Sequence, residues 1–183
     1  MLSFRTPRSR LASFHLSWII AVLSALTAAR AQAPDLSALG TLELRDQFGH
    51  TDSLASQRGA PVLVVVVSVR RLAMIEPWER DLRERVPGIR FLNVADLPAD
   101  APVDLERTAA TLRKRVPSGV SVLMDPARQW ATTFSLDTTL PNLLVFDAGG
   151  QLTAQFRGRW TAEMARQVAE TLSGAIPGQV SIP

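Results

Sequence analysis

Residues 61–86 read PVLVVVVSVRRLAMIEPWERDLRERV. Six consecutive aliphatic residues, Val62 to Val67, run through Ser68 into Val69-Arg70-Arg71-Leu72, after which the apolar residues space out. A run with no polar alternation suits a strand covered on both faces, in the middle of a sheet. Burying each Val or Leu there is worth about 1.5–3 kcal/mol, so this segment anchors the predicted core. From Ala73 to Val86, residues Ile75, Trp78, Leu82 and Val86 recur at helical spacing and make one apolar stripe. Glu76, Arg80 and Glu84 form an i,i+4 row on the other side, and Glu79 with Arg83 forms a second. Pro77 lies near the start of this helix and is expected to kink it.

The flanks extend the pattern. Upstream, Leu39, Leu42 and Leu44 lead to Asp46 and on to Asp52, which reads as two short strands around a turn at Gly49. Downstream, Ile89 to Val94 reads as a strand and Asp96 to Pro102 as a loop. Asp104 opens a helix to Val116, with Leu105, Ala109, Leu112 and Val116 on its inner side. Val120 to Met124 is the next strand and Arg128 to Phe134 a short helix. Asn142–Asp147 and Gln151–Arg157 pair as a hairpin across Ala148-Gly149-Gly150. Thr161 begins the last helix, with Ala165, Val168 and Leu172 inward, and Gly174 to Pro183 reads as a flexible tail. The order describes an α/β fold: a central mixed β-sheet, helices on both faces, and an N-terminal β-hairpin extension.

The N-terminus has the pattern of an export signal. Arg5, Arg8 and Arg10 precede an apolar stretch from Leu16 to Ala29, and small residues flank a cleavage point after Ala31. The stretch falls short of the roughly 20 residues that cross a bilayer. The expectation is a signal peptide over 1–31 and one domain over 36–173, exported to the periplasm or secreted, with no stable membrane anchor after cleavage. The whole chain of 183 residues carries +3, but without residues 1–31 it has 16 basic against 17 acidic side chains, net −1. A general affinity for nucleic acid is therefore not expected. There is no cysteine, so neither a disulfide nor a thiol nucleophile is available.

Taken together, LELRDQFGHTDSL, the PVLVVVVS strand, the early helix proline, the Leu140-Pro141 step and the FDAGGQL hairpin resemble a redoxin. This is the thioredoxin-fold group that includes exported thiol–disulfide oxidoreductases and alkyl-hydroperoxide-reductase-type antioxidants, and the resemblance spans roughly residues 39–172. It implies a thioredoxin-like fold. In redoxins the strand ends in Cys-x-x-Cys, and counting back from Pro77 puts the two sulfur positions at Val69 and Leu72, with Arg70 and Arg71 between. Neither valine nor leucine can ionise, attack a disulfide or reduce a peroxide. The resemblance also makes Pro141 the counterpart of the family's cis-proline, and gives Leu140 the backbone position that meets an extended peptide.

Arg70 and Arg71 are the foremost candidate ligand residues. Two guanidinium groups beside the free amides of a predicted helix start favour a carboxylate, phosphate or sulfate; the plainer reading pairs them with Glu76 or leaves them solvated. Trp78, Trp130 and Trp160 read as core or sheet-cover residues, with Trp78 also a candidate for a groove beside Arg71. His50, the one histidine outside the leader, reads as a solvated turn residue. Asp96, Asp100 and Asp104 read as loop solvation plus a helix cap, since they lack the spacing and glycine of a calcium loop. No catalytic residue, metal site or cofactor is expected. The expected function is a non-catalytic module that binds a peptide or protein partner in the envelope, at the surface between Arg70-Arg71 and Leu140-Pro141. The alternatives are a redoxin acting in thiol-disulfide or peroxide homeostasis beside a thiol-bearing partner, and a structural envelope component.

Overall fold

The computed structural model describes residues 41–98 and 103–175. The signal peptide expected over 1–31, Leu36, Leu39, Asp100 and residues 176–183 lie outside them. Seven strands form one mixed sheet in the order β2-β1-β5-β4-β3-β6-β7. They are β1 (Leu44–Asp46), β2 (Thr51–Asp52), β3 (Val62–Ser68), β4 (Arg90–Asp96), β5 (Leu123–Asp125), β6 (Asn142–Phe146) and β7 (Leu152–Arg157). The aliphatic run is the central strand β3, parallel to β4 and antiparallel to β6. β1 and β2 form the expected hairpin, with Gly49 at φ +90° in its turn, a conformation open to glycine because it lacks Cβ.

The pleat explains the missing alternation. Val62, Val64 and Val66 pack in a layer with Trp130, Phe134 and Phe146. Leu63, Val65 and Val67 point the other way, against Trp78, Leu82, Val168 and Leu172. Both faces of β3 are covered, so every position except the terminal Ser68 is apolar. Among the described residues four α-helices supply the covers: α1 (Ile75–Arg85), α2 (Leu105–Arg115), α3 (Gln129–Thr133) and α4 (Ala162–Ala175). α1, α2 and α4 contribute to the layers on one face, α3 to the layer on the other.

Several expectations are corrected. Helical structure begins at Val69, because a 3₁₀ segment, Val69–Met74, connects β3 directly to α1. Pro77 falls in the first turn of α1, where its missing N–H costs little. Leu105 is exposed, while Ala109 and Leu112 hold α2 on the sheet. Trp160 is also exposed, its indole N–H donating to Asp81 at 2.9 Å. α4 runs through Gly174 to Ala175, past the start of the expected tail.

Candidate functional site

β3 delivers Val69 and Leu72 to the carboxyl end of the central strand. Ser68 closes β3 and caps the 3₁₀ segment, its hydroxyl accepting from the Arg70 amide at 3.5 Å. The Ser68 amide donates to the Thr138 carbonyl at 2.9 Å, which brings the turn beside the 137–141 loop. Val69 and Leu72 are half-buried against the layer that α2 forms with β4 and β5. Val69 and Leu72 are thus part of the packing and present no ionisable group.

Arg70 and Arg71 are exposed, and among the described residues neither has an ion-pair partner. Glu76, their plainest partner, lies 3.6 Å from Arg80 instead. The two arginines part company: Arg70 lines a cavity of about 830 Å³ between the 3₁₀ segment and α2, and Arg71 does not. Val69, Leu72, Leu97, Val103, Leu112 and Val120 also line it.

The remaining candidates lie elsewhere. Trp78 is fully buried between α1 and the sheet, so the groove role is overturned: at helical spacing with Ile75 and Leu82 it belongs to the core stripe. Its indole N–H has no hydrogen-bond partner among the described residues. Among the described residues no peptide bond is cis, so Leu140–Pro141 is trans, the ordinary preference even for an X–Pro bond. The Asn142 side chain gathers this loop, donating to the carbonyls of Asp137 at 2.9 Å and Leu140 at 3.0 Å. That occupies the Leu140 carbonyl, one of the groups the resemblance offered to a peptide. Pro141 itself is buried, its carbonyl accepting from the Gly158 amide.

Sequence reasoning missed a second cluster at the same sheet end. Asp96 closes β4 instead of opening a solvated loop, and is buried. Arg128 grips it at two points, Nε at 2.9 Å and Nη2 at 3.1 Å, and the Thr138 hydroxyl donates to it at 2.5 Å. Arg128 does this from a left-handed backbone, φ +55°. Asp125 lies opposite Asp96 in the β4–β5 register and accepts from the Trp130 amide at 2.9 Å, while its Oδ1 has no partner among the described residues. Burial pushes the Asp125 carboxyl above its ordinary range against that amide bond, and the negative charge of Asp96 adds to the push. The available signal was position: an aspartate directly after an aliphatic strand. At the hairpin, Asp46 accepts from the Phe48 and His50 amides at 2.8 Å and from the Ser121 hydroxyl at 2.9 Å. Burial opposes its ionisation, but these bonds, that of Ser121 foremost, outweigh it and hold the carboxyl below its ordinary range. His50 stays exposed over Asp46 at 3.3 Å, and no metal-holding cluster occurs among the described residues.

A scan against protein-family models finds no match, and a search of curated proteins finds none. Solved structures do match. The exposed lipoprotein thioredoxin Etrx1 of Streptococcus pneumoniae superposes with a TM-score of 0.59 at 17% identity, over 70% of this chain and 97% of that one. A putative thiol:disulfide interchange protein DsbE of Chlorobium tepidum gives 0.55 at 17%, over 73% and 92%. Peroxiredoxin Q of Xanthomonas campestris gives 0.53 at 12%, over 75% and 94%. At these identities the likeness concerns the fold. The chain has the thioredoxin-like fold of the redoxins, and it has that fold without a cysteine.

Proposed function

We propose that this protein is a non-catalytic thioredoxin-fold binding module, exported from the cytoplasm, that recognises a peptide or protein partner through the Val69–Leu72 turn. The observation that carries this reading is the turn itself: it sits at the end of the central strand, holds two arginines without an ion-pair partner among the described residues, and contains no atom able to exchange electrons. A redoxin fold determines where a ligand is presented, not which chemistry follows. With valine and leucine beside Arg70 and Arg71, the turn offers apolar contact and positive charge. The leader pattern in residues 1–31 supports export.

The test pairs Arg70→Glu/Arg71→Glu with the parent in recovery of cross-linked partners from an envelope extract. The reading expects partners held by the parent to be lost from the variant. Equal recovery by both proteins overturns the turn as the recognition site. N-terminal sequencing of the secreted or periplasmic protein checks export, with a start at Gln32 expected.

A further inference from the structure

We infer that the cavity between the Val69–Met74 segment and α2 is a binding site for an amphipathic anion, a carboxylate carrying a hydrocarbon chain. The cavity shares Val69, Arg70 and Leu72 with the turn of the binding-module reading but goes beyond it, since Arg71, Leu140 and Pro141 lie outside. Its volume, about 830 Å³, falls within the roughly 300–1,000 Å³ of sites for small organic ligands. Its floor is hydrocarbon, contributed by Val69, Leu72, Leu97, Leu112 and Val122.

Charge decides the other end of the ligand. Four cations line the cavity, Arg70, Arg107, Lys114 and Arg115, all exposed. Among the described residues none of them has an ion-pair partner. The three acids of the lining are already engaged. Glu76 lies beside Arg80, Glu79 accepts from Asn93 at 3.0 Å and Arg83 at 3.3 Å, and Asp104 caps α2 by accepting from the Arg107 amide at 3.0 Å. The charge left for a ligand is therefore positive, placed around an apolar interior.

The same accounting selects a hydrocarbon chain over a peptide. A buried peptide needs partners for its amides and carbonyls. The Thr108 and Thr111 hydroxyls that line the cavity donate to the Asp104 and Arg107 carbonyls, at 2.8 and 2.9 Å, and Glu79 is occupied. A chain without polar groups demands nothing of such walls.

The experiment titrates dodecanoate, below its micellar concentration, into the purified protein by calorimetry, with 1-dodecanol and dodecyltrimethylammonium as uncharged and cationic probes. Dodecanoate is expected to bind at one site per chain, at least tenfold more tightly than either probe. Shortening it to decanoate should weaken binding by more than tenfold, since each buried methylene contributes about a fourfold gain. Arg107→Gln/Lys114→Gln/Arg115→Gln alters only exposed side chains and should weaken dodecanoate at least tenfold; Thr111→Trp, which fills the cavity from the exposed side of α2, should abolish it. No saturable binding, equal binding of the three probes, or binding indifferent to both variants overturns the proposal. Arg71→Glu separates the two readings: dodecanoate binding should be unchanged by it, whereas partner recovery through the turn should fall.

Discussion

The guanidinium of Arg128 holds the buried carboxylate of Asp96 at two points, 2.9 and 3.1 Å away, across the carboxyl ends of the parallel strands. Thr138 completes the arrangement: its hydroxyl donates to Asp96 and its carbonyl accepts from the Ser68 amide. The end of β3, the end of β4 and the loop before Pro141 are therefore fastened together through the side chains of Asp96, Arg128 and Thr138 and one main-chain bond.

Removing Arg128 leaves the Asp96 carboxylate buried with one hydroxyl donor. Arg128 is itself 40% exposed, so the full penalty of breaking a buried pair is not incurred. Arg128→Ala should cost about 2 kcal/mol in urea denaturation. Arg128→Gly loses the same pair but relieves the left-handed backbone, a gain of about 1 kcal/mol, and should be measurably less destabilised.

Asp125 gives a pH dependence whose sign follows from its position. Burial raises its carboxyl in the folded protein, so between about pH 4 and that raised value the native state holds a proton that the unfolded chain has released. Its contribution to stability therefore falls as pH rises through that window. Asp125→Asn should remove this slope, becoming more stable relative to the parent as pH increases. Asp46, held below its ordinary range, acts oppositely, and its contribution disappears as pH falls below about 4. Unfolding free energies measured from pH 3 to 8 separate the two.

Trp78 tests core against groove. Truncation to alanine should cost about 3–5 kcal/mol. Trp78→Phe should cost roughly 1 kcal/mol, because it also removes an indole N–H that has no partner. Both effects are read from denaturation midpoints, and dodecanoate binding to Trp78→Phe should match the parent.

Much of this fold was legible because burial writes itself into residue spacing. β3 announced its two-sided cover by six aliphatic residues, α1 its inner face by Ile75, Trp78 and Leu82, and α2 its start by the Asp104 cap. The site was less legible. Nothing local to 69–72 specifies which wall of the turn opens onto a cavity, since that wall comes from α2, more than thirty residues away. Asp96 read as solvated because its partners, Arg128 and Thr138, meet it only through the sheet. The trans Leu140–Pro141 bond departs from what the family resemblance implied, in a loop tied by Asn142.

Introducing sulfur at the turn tests the account most directly. Val69 and Leu72 stand three residues apart in a 3₁₀ segment, where side chains at that spacing eclipse and lie within reach of a disulfide. In Val69→Cys/Leu72→Cys the two thiols should close reversibly into an intramolecular disulfide, and the reduced variant should reduce insulin where the parent is inactive. A variant whose thiols never pair, or a parent that reduces insulin unaided, would contradict the reading of this chain as a redoxin scaffold emptied of its redox pair.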